Sequence, residues 1–114
     1  MVPFPQKRIS QRHINALFVI DGCPAENRRA KEALRIAAGI SPWGKVCSTI
    51  CFTHSFGQSL GRADDPEIDR YLKLLCKASV GLFTLAKSEV DWLRQIDQVS
   101  LAKLEANNDM VLRF

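Results

Sequence analysis

The sequence lacks the features that would place a protein in a membrane or mark it for export. No apolar run approaches the ~20 residues that a membrane-spanning helix needs. Residues 1–5 lack the apolar core of a signal peptide. We therefore expect a cytoplasmic protein, in which the four cysteines are reduced thiols.

The sequence also lacks the short motifs that mark catalytic and cofactor sites. Phosphate-binding loops, dinucleotide fingerprints and the Gly-x-Ser-x-Gly motif of serine hydrolases are absent. The carboxylates cluster at a predicted helix start, where helix capping accounts for them. These absences predict a protein that is not an enzyme and that uses no cofactor.

Cysteine and histidine follow no usual metal-binding pattern. Cys47, Cys51 and His54 are spaced i, i+4 and i+7, so a helix would place them on one face as candidate ligands. Further candidate ligands are Cys23, Cys76 and His13. There is no Cys-x-x-Cys pair, and a catalytic Cys–His pair would need a third positioning group and an oxyanion site. We predict no metal and no nucleophilic cysteine, since free cysteine also packs as a small hydrophobe.

What the chain does have is an ordinary globular composition with unevenly placed charge. Its 114 residues suffice for one domain with a hydrophobic core. Residues 1–62 hold nine Lys/Arg and three Asp/Glu, a net charge of +6, whereas residues 63–114 have a net charge of −2. Such a basic half binds nucleic acid or an acidic protein in some proteins and is a solvated face in more of them. We predict a flexible basic arm, residues 1–13, ahead of a single helical domain, residues 14–114. The nucleic-acid-binding candidates are Lys7, Arg8, Arg12, Arg28, Arg29 and Arg35.

The stretch 65–105 dominates the predicted fold. Asp65 is a good N-cap, Pro66 suits the first helical position, and acidic residues follow where the helix dipole favours them. The apolar residues that then recur at helical spacing are Ile68, Leu72, Leu75, Leu82, Ala86, Val90, Leu93, Leu101 and Leu104. The pattern predicts one long helix, or two nearly collinear ones, that stops at Asn107-Asn108.

Such a helix is long for a domain of this size. Forty residues would span about 60 Å. We therefore expect a kink or break between Lys87 and Ser100, with Ser88 as the new N-cap.

The remaining elements are predicted to be shorter. Residues 16–20 and 110–114 favour extended structure, and these two ends could pair within one chain or across a dimer. Residues 24–39 predict a helix. The residues on its apolar side are Ala30, Ala33, Leu34, Ala37 and Ala38. Residues 42–60 alternate as a strand would, but Ser41-Pro42 resembles a helix start and favours a helix there. The predicted fold is mostly α, with three to four helices, one long C-terminal helix and short extended segments at the ends.

A second apolar stripe at the end of the long helix predicts a binding surface. Trp92, Ile96 and Val99 would lie about 140° around the helix from the core stripe. An exposed aromatic side chain beside β-branched residues is typical of an interface. The alternative is that residues 42–60 fold over this stripe and bury it. We expect partner binding, or self-association to a homodimer, through Leu85, Trp92, Arg94, Ile96 and Val99.

Two segments resemble short helical proteins of pseudomonads. They are residues 17–26, ahead of an alanine-rich helix, and residues 71–78. The resemblance covers residues 16–86, and the tail 88–114 departs from it. In size and character the chain is similar to the small QslA-like quorum-sensing anti-activators. That resemblance implies a cytoplasmic, non-enzymatic regulator that binds a LuxR-type transcription factor and blocks its dimerisation. A small basic nucleic-acid-binding protein is the alternative.

Overall fold

The protein has an α/β fold with a five-stranded parallel sheet. The computed structural model describes residues 14–24, 26–54, 66–88 and 90–114, so the predicted arm at residues 1–13 lies outside the described residues. The elements in chain order are β1 (Ile14–Ile20), α1 (Arg28–Ile40), a 3-10 turn (Ser41–Trp43), β2 (Val46–Phe52), α2 (Pro66–Lys77), β3 (Gly81–Thr84), β4 (Arg94–Gln95), α3 (Gln98–Asn107) and β5 (Met110–Arg113). The strand order is β4-β3-β2-β1-β5. The prediction of a mostly α protein is therefore wrong.

The helix predicted at residues 42–60 is a strand over Val46–Phe52. The Ser41-Pro42 start signal produces only the 3-10 turn, because Gly44 has a left-handed backbone with a φ of 81° and ends it. The alternating, β-branched sequence that follows then pairs with β1, from Ile14 opposite Val46 onward. The local sequence pattern fitted a helix and a strand almost equally well, and pairing with β1 favours the strand.

The long helix predicted for residues 65–105 is also wrong. α2 begins at Pro66 as expected, but it stops at Lys77, and Ser79 adopts a left-handed backbone with a φ of 60°. The chain then enters β3. The cap of α3 is Asp97 rather than Ser88. The Ser88 hydroxyl instead lies within hydrogen-bonding distance of the carbonyls of Val90 and Leu93 in the loop before β4. The helical spacing of the leucines across this region was a coincidence between two separate helices and a strand.

Other sequence predictions are confirmed. The two ends do pair, within one chain, as β5 lies parallel to β1 with Ala16 opposite Met110. α1 buries the predicted alanine-rich side. Its predicted start at residue 24 is wrong, because the helix begins at Arg28. The N-cap is Asn27, whose side-chain oxygen accepts hydrogen bonds from the N–H groups of Arg29 and Ala30 at 2.9 and 3.1 Å. α3 ends at Asn107, where the stop was expected.

The two faces of the sheet are covered unequally. α1 and α2 pack on one face, where Phe18 and Ile50 share a large buried cluster with Leu34 and Leu75. We call this the two-helix face. On the opposite, one-helix face, the described chain supplies only α3, whose Leu101 packs with a small set of sheet residues. Those sheet residues are Leu17, Val19 and Cys51. Parallel sheets are normally covered on both faces, so the one-helix face is the unusual feature of this fold.

None of the described helices is long and apolar enough to cross a lipid bilayer.

Candidate protein-binding surface

A groove of about 690 Å³ runs along the one-helix face between β3–β4 and α3. We call it the β3–α3 groove. Its lining residues are Phe83, Arg94, Gln95, Ile96, Asp97, Ser100, Lys103 and Leu104. Phe83, Ile96 and Leu104 are half-buried and pack against the small cluster beneath α3. The groove therefore has an apolar floor that one helix only partly covers.

Backbone hydrogen bonds and a helix cap fix the walls of the groove. The Ile96 N–H donates to the Thr84 carbonyl at 2.9 Å, which ties the segment after β4 to the end of β3. The Asp97 carboxylate then accepts a hydrogen bond from the Ser100 N–H at 2.8 Å and starts α3. Because a main-chain hydrogen bond fixes one wall and a side-chain cap fixes the start of the other, the groove is a preformed surface.

The rim of the groove carries more positive than negative charge. Arg94 and Lys103 are exposed, and neither forms an ion pair with another described residue. Asp97 is the carboxylate on the rim, and hydrogen bonds from Ser100 hold its pKa below the usual value. Asp97 is thus a charged helix cap that also interacts electrostatically with Lys103, while Arg94 on the other wall is exposed and forms no ion pair with a described residue.

The structure brings some of the predicted partner-binding residues together and not others. Arg94 and Ile96 line the groove, and Leu85 packs against the same small cluster as Ile96. Val99 lies on α3 with 63% of its surface exposed, and Trp92 lies in the turn before β4 with 38% exposed. The helical stripe of Trp92, Ile96 and Val99 does not exist, because these residues belong to a turn, a connection and a helix.

Sequence reasoning missed the groove residues Phe83, Lys103 and Leu104. Residues 81–84 alternate between half-buried and buried positions as a strand does, with Leu82 and Thr84 facing the two-helix core. That alternation would have placed Phe83 on the opposite face. We did not predict this strand because Leu82 and Ala86 were assigned to a helix.

The predicted cysteine and histidine set is separated by the strand. Cys51 is buried under α3, and burial raises the pKa of its thiol to about 11, which suppresses the reactive thiolate. Cys47 is exposed on the same face, nearer the start of β2, and His54 follows the strand on the opposite parity. Within the described ranges, no three His, Cys, Asp or Glu side chains lie close enough to hold a metal ion.

The predicted nucleic-acid-binding residues are divided between α1 and the undescribed start of the chain. Arg28 and Arg29 are exposed at the first turn of α1, while Arg35 forms an ion pair with Glu32. Lys7, Arg8 and Arg12 lie outside the described residues. Nearby, Lys31 pairs with Glu67 across α1 and α2 at 3.0 Å. The described part of this surface mixes both signs of charge.

A polar cluster at the carboxyl ends of β1 and β2 was not predicted. The Thr53 hydroxyl lies 2.9 Å from the Asp21 carboxylate, to which it donates, and 3.0 Å from Nδ1 of His54. The carboxyl edge of a parallel sheet is where α/β proteins usually bind ligands. Asp21 and His54 are exposed, and the cluster makes up one corner of that edge.

Comparison with known proteins adds a fold relationship. No family model matches the chain, and no curated protein matches its sequence. The crystal structure of the YchN protein from E. coli superposes with a TM-score of 0.72 at 17% sequence identity, covering 89% of this chain and 99% of that one. At that identity the likeness shows that the two proteins share a fold.

Proposed function

We propose that the protein is a non-enzymatic regulator that acts by binding another protein in the β3–α3 groove. The observation that carries this proposal is the unequal covering of the sheet, which leaves the half-buried side chains of Phe83, Ile96 and Leu104 under a single helix. Apolar surface of this kind, rimmed by polar groups, is typical of protein-binding sites.

The chemistry of the rim indicates what kind of partner segment would fit. Arg94 and Lys103 are exposed cations that line an apolar floor, and Asp97 is the carboxylate beside them. A segment with apolar side chains spaced along one face and acidic residues beside them would fill the floor and meet both cations. The resemblance to quorum-sensing anti-activators supplies a specific candidate, a LuxR-type transcription factor whose dimerisation this protein would block.

The test compares two charge-reversed variants of the full chain as tagged baits in the native host. Arg94→Glu with Lys103→Glu changes the groove rim without touching its apolar floor. Arg28→Glu with Arg29→Glu makes the same change in charge on α1 and is the matched control. We expect the groove variant to lose, by at least about tenfold, a protein that wild type and the control both retain. That protein is then purified and titrated against all three chains.

The outcomes separate the alternatives. Equal retention of every captured protein by the groove variant contradicts the proposal. For the specific candidate, a purified LuxR-type factor from the same host should change from dimer to a complex with this protein. A LuxR-type dimer that persists at saturating protein rejects that partner while leaving the groove to be tested with others.

The same control variant examines the nucleic-acid alternative. If the protein binds nucleic acid, it should shift duplex DNA or RNA in a mobility-shift assay, and the binding should weaken steeply between two salt concentrations. Loss of such a shift in Arg28→Glu with Arg29→Glu would favour nucleic acid over protein as the partner.

A further inference from the structure

The open edge of the sheet at β5 presents unpaired backbone groups. In the described part of the chain, β5 has β1 on one side and nothing on the other. The N–H of Phe114 donates to the Val19 carbonyl at 2.9 Å, and the N–H of Asp21 donates to the Phe114 carbonyl at 3.0 Å. Phe114 therefore turns both of its backbone groups toward β1.

The hydrogen bonds of Phe114 determine which way the other backbone groups of β5 point. Backbone groups alternate between the two sides of an extended strand, so Met110 and Leu112 also face β1. The N–H and C=O groups of Val111 and Arg113 then point away from the sheet. An edge of this kind is a template for another strand.

Among the described residues, the edge at β5 has little of the usual protection against pairing. Its first two side chains are apolar and exposed, Met110 at 45% and Val111 at 37%. β5 contains no proline or lysine, and its one charged residue, Arg113, is in an ion pair with Glu105 of α3. The opposite edge of the sheet is different, because β4 is only Arg94–Gln95 and both residues are exposed and polar. Short, charged edges resist pairing and longer apolar edges promote it.

We propose that β5 pairs with β5 of a second copy of this chain, antiparallel about a two-fold axis at Leu112. In this register Val111 lies opposite Arg113 of the second copy, and each exchanges both backbone hydrogen bonds with the other. Every outward-facing group of β5 is then satisfied. The two copies form a closed dimer, because each uses the same strand at a two-fold interface and no pairing edge of β5 is left over.

The side chains fit this register on both faces. On the two-helix face, Leu112 meets Leu112 of the second copy, and Met110 meets Phe114 of the second copy. Phe114 already stacks on Phe18 with ring centroids 5.9 Å apart, so the new contact extends the core from one copy into the next. On the one-helix face, Val111 lies beside Arg113 of the second copy. The interface is short, so the dimer should dissociate on dilution.

The test uses two substitutions at one exposed position. Val111→Lys places a cation opposite Arg113 of the second copy, whereas Val111→Glu places an anion there. Both substitutions replace the same side chain, and neither should disturb the hydrogen bonds between β5 and β1. We expect wild type to shift from monomer to dimer in sedimentation equilibrium as concentration rises. Val111→Lys should weaken the dimer by about tenfold or more, and Val111→Glu should leave it within about threefold of wild type.

Amide hydrogen exchange gives a second, site-specific measurement. The amides of Val111 and Arg113 should become protected only as concentration rises, whereas Leu112, bonded to β1, should be protected throughout. Each of three results overturns the proposal: wild type monomeric at every concentration, Lys and Glu variants that dimerise equally well, or protection of Val111 that is independent of concentration. The last result would mean that a segment of the same chain covers the edge.

Discussion

Gly81 lies beneath the ring of Phe83, and a Cβ atom at position 81 would be 2.9 Å from Cε2 of that ring. The same Cβ would be 3.7 Å from Cγ2 of Thr49, which is ordinary contact. The absence of a side chain at position 81 therefore lets the Phe83 ring lie back along β3 and form the floor of the β3–α3 groove.

Gly81→Ala should push the half-buried Phe83 ring outward and destabilise the protein by about 1 kcal/mol, the low end of the range for overpacking, because the ring can shift into the groove. Chemical denaturation measures the change in the free energy of unfolding. The control is a double-mutant cycle with Phe83→Leu, in which the effect of Gly81→Ala should fall below about 0.5 kcal/mol. An equal effect in both backgrounds would show that the ring is not what excludes the Cβ.

Gly39→Ala should have the opposite sign. Gly39 lies near the end of α1, and a Cβ there would meet nothing within 4 Å. Alanine lowers the entropy of the unfolded chain and favours the helix, so we expect stabilisation of about 0.5–1 kcal/mol. Thermal or chemical denaturation of both variants tests whether the space around each glycine decides the sign of the change in the free energy of unfolding. A destabilised Gly39→Ala protein would contradict the packing described for α1.

The four cysteines should react with thiol reagents in an order set by burial. Cys47 and Cys76 are exposed, Cys23 is half-buried and Cys51 is buried. With a thiol pKa raised to about 11, Cys51 is about one part in a thousand thiolate at pH 8. Alkylation followed by mass spectrometry should label Cys47 and Cys76 first and Cys51 only when the protein is unfolded. Early labelling of Cys51 would show that α3 opens readily from the sheet.

Local signals in the sequence predicted some elements well and their arrangement badly. Pro66, the alanine side of α1 and the stop at Asn107 are set by neighbouring residues, and all three are confirmed. The strands β2 and β3 depend on pairing with residues far along the chain, as when Thr49 lies opposite both Leu17 and Gly81. A helical spacing of leucines carries no information about such partners, so helix was predicted where the sheet forms.

The candidate site was predicted in part for the same reason. Arg94 and Ile96 were named as partner-binding residues, and both line the groove. They were placed there as one side of a helix, whereas a strand and its connection hold them in the structure. Phe83 and Lys103 could not be joined to them from sequence, because β3 and α3 meet only through the fold of the sheet.

The cap of α3 should make stability depend on pH. The pKa of Asp97 is lowered in the folded protein by hydrogen bonds from Ser100. A lowered carboxyl pKa stabilises the folded state above the unfolded value of about 4, and this stabilisation is lost as pH falls through the folded pKa. Asp97→Ala should lower the melting temperature at pH 7 and reduce its fall as the pH drops below about 4. Asp97→Asn, which can still cap, should melt between the two, and an unchanged pH profile in Asp97→Ala would contradict this role.

The hydrogen bonds around Thr53 predict the tautomer of neutral His54. A hydroxyl has one proton to donate, and the Thr53 hydroxyl donates it to the Asp21 carboxylate at 2.9 Å. The contact of 3.0 Å to Nδ1 of His54 then requires the imidazole to donate, so the proton is on Nδ1 and the lone pair is on Nε2. Nitrogen-15 NMR of the neutral imidazole should show this Nδ1–H form. Thr53→Val should remove the preference and Thr53→Ser should keep it, whereas a spectrum unchanged in Thr53→Val would mean that the hydroxyl does not set the tautomer.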